Sequence, residues 1–306
     1  MKDILSLIGW NKEGILNLVS YASEIKKNPD EYFNVLKNKT MLMIFEKPSL
    51  RTRVSFEAAM TQLGGHAIYL NTEDSPLGKK ESMADTAKAS SRYCDIIMAR
   101  MFKQEDIEGL AKNSTVPVIN GLTNIFHPCQ ILSDLLTIYE KKGKLENLKL
   151  SFVGDGNNNV THSLLLGCSA VGMNISVGCP KEHMPQEWIA QAAEENAKKS
   201  GSKIEITNDA KKAVENVDIV YADTWMSYHI PKKQKEERVK TFAPFQVNNE
   251  LMSYAKNDAI FMNCLPAMRG YEQTAEVIDG KQSVVFDQAE NRLHMQKGII
   301  LKLLGV

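Results

Sequence analysis

Short apolar runs alternate along this chain with longer stretches of helical period. The helical stretches include Arg53–Leu63, Met83–Tyr93 and Pro185–Lys199. The runs that predict strands are Met41–Phe45, His66–Leu70, Asp95–Ala99, Val116–Ile119, Leu148–Gly154, Asn174–Cys179, Lys203–Ile206, Asp218–Ala222, Ala259–Cys264 and Ser283–Phe286. Strands rich in Ile and Val that alternate with helices are typical of parallel sheets covered on both faces. Ten strands are many for one sheet, so the pattern predicts an α/β fold with two doubly wound domains.

The domain boundary is expected in the charged segment Lys141–Asn147, which follows a long helical pattern. This places a first domain at residues 1–141 and a second at residues 148–286. An amphipathic helix is predicted over Gln288–Leu304, and we expect it to pack back on the first domain, which residues 287–306 then complete. The dense charge run Pro231–Lys240 is interpreted as a solvated loop or helix face.

Composition narrows the class of protein. The chain has 306 residues, of which 43% are hydrophobic and 24% charged, and its formal net charge is zero. A neutral balance does not favour a nucleic-acid surface or an anionic membrane as partner. No apolar run approaches the ~20 residues that span a bilayer, and the first residues, MKDILSLIGWNKEG, do not read as a signal peptide. We therefore expect a cytoplasmic protein.

The five cysteines are widely spaced and form no CxxC pair. An odd number without paired spacing argues against a disulfide framework and against a zinc site. We therefore expect neither a metal nor a cofactor, and most of the cysteines are interpreted as small buried thiols.

In open α/β sheets, ligands bind beyond the carboxyl ends of the strands. After the first predicted strand comes Ser49-Leu50-Arg51-Thr52, where Ser49 is a good N-cap for the following helix. The free N–H groups of a helix N-terminus, two hydroxyls and a guanidinium together suit an anion. This stretch alone leaves two interpretations open, a phosphate site and a simple helix cap.

Further polar residues follow the next predicted strands. Arg100 comes directly after Asp95–Ala99, and His127 precedes Pro128 at a predicted helix start, with Gln130 one turn along. The helix dipole disfavours protonation of this histidine, so it suits a neutral hydrogen-bond donor toward a polarised carbonyl.

The second half of the chain offers different chemistry. The turn GDGNNNVTHS, which contains Asn159, resembles a dinucleotide fingerprint only loosely because GxGxxG is not satisfied. Asp223, Ser227 and Cys264 also follow predicted strands, and a carboxylate at a strand end suits a cationic amine. The two halves together indicate direct transfer from an activated phosphate to an amine.

With these motifs in place, the sequence resembles the aspartate/ornithine carbamoyltransferase family, and its ornithine branch in particular. The resemblance covers nearly the whole chain. The matching motifs, in family order, are Ser49-Leu50-Arg51-Thr52, Met98-Ala99-Arg100, His127-Pro128-Cys129-Gln130, Asp155-Gly156 with Asn158-Asn159, Asp223-Thr224-Trp225 with Ser227, Cys264-Leu265-Pro266 and Glu290-Asn291-Arg292. The family fold implied is two doubly wound domains joined by interdomain helices and assembled as homotrimers or multiples of trimers.

The resemblance implies a role for each matching residue. Those implied to bind carbamoyl phosphate are Ser49, Leu50, Arg51, Thr52, Arg100, His127, Gln130, Leu265 and Arg292. Those implied to bind L-ornithine are Asn159, Asp223, Ser227, Tyr228 and Cys264. Arg100, His127, Asp223 and Cys264 are the implied catalytic residues. The implied reaction carries the carbamoyl group to the side-chain amine of ornithine and releases citrulline and phosphate.

The chain departs from the family pattern in four places. Leu50 replaces a common threonine, Asn263 replaces a common histidine before Cys-Leu-Pro, and Tyr228-His229 replace the usual Met-Gly. Pro76 lies where a glutamine or histidine usually reaches a neighbouring subunit's phosphate site. The change at Tyr228-His229 touches the amino-acid pocket and therefore bears on which amine is the substrate.

Three alternatives remain open from the sequence. The segment Glu236–Asn248 resembles putrescine carbamoyltransferases, although the chain stops at Val306, soon after its last helix, which favours ornithine. A carbamoyltransferase-like binding protein without turnover is a second alternative, which the retained arginines, His127 and Cys264 disfavour. A nucleotide-binding dehydrogenase is the weakest, since no complete fingerprint follows a strand.

Overall fold

A computed structural model of the chain describes residues 2–74, 81–227 and 230–306. Its strands are β1 (Thr40–Phe45), β2 (His66–Asn71), β3 (Ile96–Arg100), β4 (Val118–Leu122), β5 (Lys149–Val153), β6 (Asn174–Gly178), β7 (Ile204–Thr207), β8 (Ile219–Ala222) and β9 (Ile260–Asn263). Its α-helices are α1 (Lys12–Lys27), α2 (Leu50–Gln62), α3 (Met83–Ser90), α4 (Gln104–Asn113), α5 (Pro128–Lys142), α6 (Asn159–Ala170), α7 (Glu187–Ser200), α8 (Ala210–Val214), α9 (Lys235–Phe242), α10 (Asn249–Met252), α11 (Ala275–Ile278) and α12 (Val285–Leu304).

The contacts divide the chain into two compact units. Three of their boundaries fall inside α1, α5 and α12, and the fourth falls after Leu7. The first unit consists of Met1–Leu7, Leu16–Leu136 and Asn291–Val306. The second unit consists of Ile8–Ile15 and Thr137–Glu290. Each unit contains one parallel sheet with helices around it, which confirms the predicted α/β fold class with two parallel-sheet domains.

The sheet of the first unit has four strands in the order β2-β1-β3-β4. All of its pairs are parallel, and Phe45 at the end of β1 is paired with Arg100 at the end of β3. A buried apolar cluster that includes Ile44, Ile97 and Leu110 holds α4 against the sheet. The carboxyl ends of β1, β3 and β4 therefore lie side by side, and the residues that follow them share one edge.

The sheet of the second unit has five strands in the order β7-β6-β5-β8-β9, again parallel throughout. Its core includes Val220, Phe261 and Val247, all fully buried. Because β5, β8 and β9 are neighbours, the turns after these three strands meet at the same edge.

One predicted strand is wrong. The run Ser283–Phe286 predicts a tenth strand, but only Ser283 forms an isolated bridge, with Phe261, and α12 begins at Val285. The carbonyl of Val284 accepts from Gln288 N at 2.9 Å, so helical hydrogen bonds start immediately. Tertiary packing here outweighs the strand preference of two valines, as it often does for short apolar runs.

Among the described residues, no helix is long and apolar enough to cross a membrane.

Candidate active site

The joint between β1 and α2 is a capped helix N-terminus. Ser49 has extended backbone angles, and its Oγ accepts a hydrogen bond from Thr52 N at 3.3 Å. The Leu50 side chain is 72% exposed, so this residue offers the site only its backbone N–H. The side chain of Arg51, in the same turn, is half-buried. The first turn of α2 thus presents free N–H groups, a positive dipole end and a guanidinium at the sheet edge.

Two buried arginines lie beside this turn. Arg100 ends β3 and is 5% exposed, and Arg292, from α12, is 3% exposed. Arg292 Nη2 donates to Thr52 Oγ1 at 2.8 Å, which fixes its guanidinium against the first turn of α2. Two buried guanidiniums beside a helix N-terminus make a positive potential, so the arrangement favours a negatively charged ligand.

His127 immediately precedes α5, at the same edge. The loop before it is closed by two hydrogen bonds, Phe126 N to Thr123 Oγ1 at 3.1 Å and Thr123 N to the Phe126 carbonyl at 2.9 Å. Burial lowers the pKa of His127 well below its ordinary value, and the charges of Arg292 and Arg100 lower it further. The imidazole is therefore neutral at neutral pH and has one N–H to donate.

Gln130 lies in the first turn of α5 and is 1% exposed. Its amide nitrogen donates to Asp134 Oδ1 at 2.8 Å. Its side-chain oxygen has no hydrogen-bond partner among the described residues. An oriented acceptor at a buried position suits a ligand that carries an N–H.

Lys47 belongs to the same cluster of cations, although sequence reasoning missed it. It is 2% exposed, its Nζ donates to Asn124 Oδ1, and the ammonium lies 4.4 Å from the centre of the Phe102 ring. Burial lowers its pKa to about 7, with a further contribution from Arg100 and an opposing one from Glu46. The signal was present in the sequence, because this lysine follows the end of β1 by two positions.

In the second unit, Asp223 follows β8 and is 6% exposed. Cys264 Sγ donates to its Oδ1 at 3.1 Å, and Asn158 Nδ2 donates to its Oδ2 at 2.8 Å. Burial raises the pKa of Asp223, and the hydrogen bonds from Cys264 and Asn158 offset part of that rise. A buried carboxylate held by two neutral donors remains short of a countercharge, which suits an approaching cation.

The structure places Asn158, not Asn159, against this carboxylate. Asn158 is the N-cap of α6, and its Oδ1 accepts from Val160 N at 2.7 Å while its amide nitrogen points to Asp223. Asn159 is the first residue of α6 and is half-buried. The implied contact of Asn159 with ornithine stays a prediction, and the N-cap position was the signal in the sequence that pointed to Asn158 as a second residue of this turn.

The turn after β9 carries Cys264 and Leu265. Leu265 has φ 54°, a left-handed conformation that costs a non-glycine residue roughly 1–3 kcal/mol. Asn263 stabilises the turn, since its Oδ1 accepts from Leu265 N at 2.8 Å and its Nδ2 donates to Gln273 Oε1 at 3.0 Å. Both ends of the Asn263 amide are therefore hydrogen-bonded within this turn and to Gln273.

Glu272 is a second residue that sequence reasoning missed. It is 1% exposed, and its Oε1 accepts from Met268 N at 2.6 Å. Burial raises its pKa to about 7, and the neighbouring charge of Asp223 contributes to the rise. The turn that follows Cys264 therefore carries a carboxyl group that titrates near neutral pH.

The remaining predicted residues are placed as follows. Ser227 is half-buried, and its carbonyl accepts from Ile230 N at 3.0 Å. Tyr228, the neighbouring His229 and Pro76 lie outside the described residues. Leu265 lies in the second unit, whereas the other residues expected to bind carbamoyl phosphate lie in the first unit. In the described ranges, no group of three or more His, Cys, Asp or Glu side chains is arranged to hold a metal ion.

Comparison with known families gives two matches that together span most of the chain. Residues 2–140 match the carbamoyl-P binding domain of aspartate/ornithine carbamoyltransferase. Residues 146–303 match the Asp/Orn binding domain of the same family.

Individual relatives are similar over nearly their whole length. The chain is 50% identical over 305 residues to an ornithine carbamoyltransferase of Anoxybacillus flavithermus, covering 99% of this chain and 96% of the relative. It is 48% identical over 306 residues to the anabolic ornithine carbamoyltransferase of Pyrococcus furiosus, with the same two coverages.

Solved structures agree with the sequence comparison. A structure of ornithine carbamoyltransferase from Pyrococcus furiosus superposes with a TM-score of 0.96 at 48% identity, covering 99% of this chain and 97% of that one. A structure of ornithine transcarbamoylase from Giardia lamblia superposes with a TM-score of 0.91 at 40% identity, covering 99% and 98%.

Proposed function

Because the chain belongs to the aspartate/ornithine carbamoyltransferase family, we propose that it transfers the carbamoyl group of carbamoyl phosphate to the side-chain amine of L-ornithine. The products are L-citrulline and phosphate. The first unit, which matches the carbamoyl-P binding domain, binds the phosphate donor, and the second unit, which matches the Asp/Orn binding domain, binds the amino acid.

The phosphate group binds at the N-terminus of α2. The backbone N–H groups after Ser49 donate to its oxygens, and Arg51 and Arg100 balance its charge. Arg292 adds a third guanidinium beside the first turn of α2, where its Nη2 donates to Thr52 Oγ1 at 2.8 Å. These groups also stabilise phosphate as it leaves, because the negative charge on the leaving oxygen grows during transfer.

The carbonyl of carbamoyl phosphate is polarised by neutral donors and cations. Burial and the neighbouring cations hold the pKa of His127 well below its ordinary value, so its imidazole is neutral. The one N–H of this neutral ring donates to the carbonyl oxygen. The side-chain oxygen of Gln130, which has no partner within the described residues, accepts from the carbamoyl NH2. Donors arranged before the reaction stabilise the tetrahedral oxyanion at no further reorganisation cost.

The amine of ornithine binds against Asp223. The Cys264 thiol donates to one carboxylate oxygen at 3.1 Å and the Asn158 amide to the other at 2.8 Å, so these two hydrogen bonds orient the Asp223 carboxylate. The ammonium gives up one proton to solvent, and the neutral nitrogen then attacks the carbamoyl carbon. The new C–N bond forms, the bond from carbon to the phosphate oxygen breaks with its electron pair leaving on phosphate, and the departing phosphate takes up the second proton of the nitrogen. Oriented substrates supply much of the rate enhancement.

One observation carries the choice of an amine with a cationic side chain. Asp223 is buried, and the side chains that donate to its two oxygens are the neutral groups of Cys264 and Asn158, within the unit that matches the Asp/Orn binding domain. A carboxylate at this position attracts an ammonium and repels the side-chain carboxylate of aspartate. It therefore favours ornithine over aspartate.

The proposal is tested by supplying carbamoyl phosphate with ornithine, putrescine, lysine or aspartate in turn and measuring the ureido product. We expect product with ornithine at the highest kcat/KM and none with aspartate. A reaction without enzyme gives the background for each amine. Product with putrescine but not ornithine would assign the chain to the putrescine enzymes that Glu236–Asn248 resembles, and no product with any amine would refute enzymatic function.

Affinity for carbamoyl phosphate is expected to fall as the pH rises above about 7. Lys47, with its pKa lowered to about 7, is a cation below that pH and neutral above it, and a bound phosphate favours the cation. Binding above pH 7 must therefore take up a proton, and the Kd rises by up to about tenfold per pH unit. Titration calorimetry from about pH 6 to about pH 9 measures this slope.

The matched variant for this prediction is Lys47→Met, which keeps the length of the side chain and removes the ionisable group. The variant should bind carbamoyl phosphate more weakly than the wild type at low pH, and its Kd should be nearly constant across the pH range. His127 stays neutral throughout, because its pKa is well below its ordinary value. An unchanged slope in the variant would assign the pH dependence to another group.

We also propose that the enzyme is a homotrimer or a multiple of trimers. The supporting observations are an edge strand, β2, and apolar side chains that are exposed in the first unit, namely Leu50, Val54 and Ile68, at 72%, 53% and 45%. Exposed apolar side chains near an unpaired strand edge are typical of a subunit interface. Sedimentation equilibrium would reject the assembly if it gave the 34.3 kDa mass of a single chain.

A further inference from the structure

Arg238 is a buried cation within a charged and otherwise exposed helix. It lies in α9, where it is 8% exposed, while Glu236, Glu237 and Lys240 are exposed. The sequence predicts a solvated face for this run, and that prediction is wrong for Arg238. Burying a guanidinium is costly unless it is paired and hydrogen-bonded, so its contacts explain why it is tolerated here.

The guanidinium of Arg238 contacts two different loops. Its Nε donates to the Trp225 carbonyl at 2.7 Å, and its Nη2 donates to the carboxylate of Asp155. The guanidinium also packs over the Phe242 ring, with its carbon 4.8 Å from the ring centre. Arg238 therefore connects the turn after β5, where Asp155 lies, to the turn after β8, where Trp225 lies.

These are the two turns that carry the amine-binding groups. Asp155 is three residues before Asn158, and Trp225 is two residues after Asp223. Asn158 Nδ2 donates a hydrogen bond to Asp223 Oδ2 at 2.8 Å, so the Arg238 bridge is a second connection between the same two turns.

Asp155 is well fixed as the anionic end of this bridge. Its Oδ1 accepts from Asn157 N at 3.1 Å, and its carbonyl accepts from Thr161 Oγ1 at 2.9 Å. His183 Nδ1 lies 3.6 Å from the same Oδ1. Burial alone would raise the pKa of Asp155, but His183 and Arg238 lower it below its ordinary value. The carboxylate is therefore ionised, and the pair is a buried salt bridge.

We infer that Arg238 is a positioning residue for amine binding, which sets the orientation of the Asp223 carboxylate by tying the turn after β8 to the turn after β5. The inference rests on the proposed function. Only arginine has a planar group that reaches a backbone carbonyl and a carboxylate at the same time, and lysine has a single nitrogen. Loss of the bridge leaves the hydrogen bonds from Asn158 and Cys264 to orient Asp223, but the turns that carry Asn158 and Asp223 are then held less firmly.

The decisive variant is Arg238→Met, compared with Lys240→Met on the exposed face of the same helix. We expect Arg238→Met to raise KM for ornithine about 20-fold and to lower kcat about 10-fold, because misplaced binding groups are costly. The Kd for carbamoyl phosphate, whose proposed phosphate contacts lie in the first unit, should stay within about twofold. Lys240→Met should behave as the wild type. A purely structural role would lower the active fraction and kcat without changing KM for ornithine, and that result would overturn the inference.

Arg238→Lys keeps the protein folded if the methionine variant does not fold. It should raise KM for ornithine by about fivefold, because one nitrogen cannot replace both contacts. Asp155→Asn should raise KM for ornithine by a similar factor. In the double variant Arg238→Met/Asp155→Asn, KM for ornithine should rise by less than the product of the two single-variant factors. An unchanged KM in Arg238→Lys, or independent losses in the double variant, would contradict a shared bridge.

A second measurement does not depend on turnover. Hydrogen exchange should become faster in both turns, residues 155–158 and 223–227, in Arg238→Met and remain unchanged in Lys240→Met. If the wild type does not carbamoylate ornithine but both turns respond, the proposed function fails while the tie between the turns is supported. If the enzyme is active on ornithine and neither turn responds, the positioning role is overturned and the proposed function stands.

Discussion

Replacing Asp223 by asparagine is expected to lower kcat/KM for ornithine about 1,000-fold. Asparagine has the same shape and can still accept from Asn158, but it has no charge to hold the ammonium or to favour its loss of a proton. The Kd for carbamoyl phosphate, measured by calorimetry, should change by less than about twofold, since Asp223 lies in the other unit. Steady-state kinetics with ornithine as the varied substrate measures the loss.

The same substitution should not destabilise the protein. Burial raises the pKa of Asp223, so the folded state prefers the protonated acid and the ionised form costs stability at higher pH. The stability that this carboxyl contributes is present below its unfolded pKa and is lost as the pH rises through its folded pKa. Asp223→Asn should therefore melt at the same or a higher temperature at about pH 8, and the difference should vanish toward about pH 4.

Cys264→Ser serves as the control for the geometry around Asp223. Serine keeps a donor for the carboxylate oxygen that Cys264 reaches at 3.1 Å, so the loss should be about tenfold at most. If Asp223→Asn retained more than about a tenth of the wild-type kcat/KM, the carboxylate would not be the group that receives the amine.

Much of the fold is predictable because a parallel α/β architecture requires a simple alternation of apolar and amphipathic segments in the sequence. Buried strands appear as short runs of β-branched residues, and covering helices as amphipathic stretches between them. The predicted run Met41–Phe45 is strand β1, and the helix expected near Ser49 begins at Leu50. The strand predicted at Ser283–Phe286 is wrong because α12 begins at Val285 within this run, so packing overrules the local preference.

The candidate site is partly predictable for the same reason. Polar residues directly after parallel strands share an edge of the sheet, and this rule selects Arg100 and Asp223 from the sequence. His127 comes after a loop, and Pro128 at the following helix start was the additional signal for it. In the structure, Arg100 ends a strand beside β1, and the Cys264 thiol donates to the Asp223 carboxylate.

The residues that sequence reasoning missed are all buried charges, and the sequence does not display their burial, even for Lys47, whose position after β1 it does show. Lys47, Glu272 and Arg238 are charged side chains that become buried only when distant segments pack over them. Charged residues are mostly exposed, so a solvated position is the reasonable expectation for each from sequence alone. The altered pKa values of Lys47 and Glu272 arise from tertiary contacts, and so does the ion pair of Arg238 with a carboxylate 83 positions earlier.

Replacing Arg51 by alanine is expected to weaken carbamoyl phosphate binding about 100-fold. Arg51 lies in the first turn of α2 with its side chain half-buried, and charge-assisted hydrogen bonds of a guanidinium to phosphate contribute about 1.5–3 kcal/mol each. The backbone N–H groups of the turn remain, so binding should be weakened and not abolished. Calorimetry with carbamoyl phosphate, or with a stable phosphonate analogue, gives the two dissociation constants.

Arg53→Ala is the matched control, since it removes the same side chain from the same helix two positions later. Arg53 points away to solvent, where its Nε pairs with Glu57 at 2.9 Å and its guanidinium lies 3.8 Å from the centre of the Tyr69 ring. Exposed pairs of this kind contribute at most about 1 kcal/mol, so the control should lose a little stability and keep its affinity for the ligand. Equal losses of affinity in the two variants would mean that the net charge of α2, and not a phosphate contact by Arg51, determines binding.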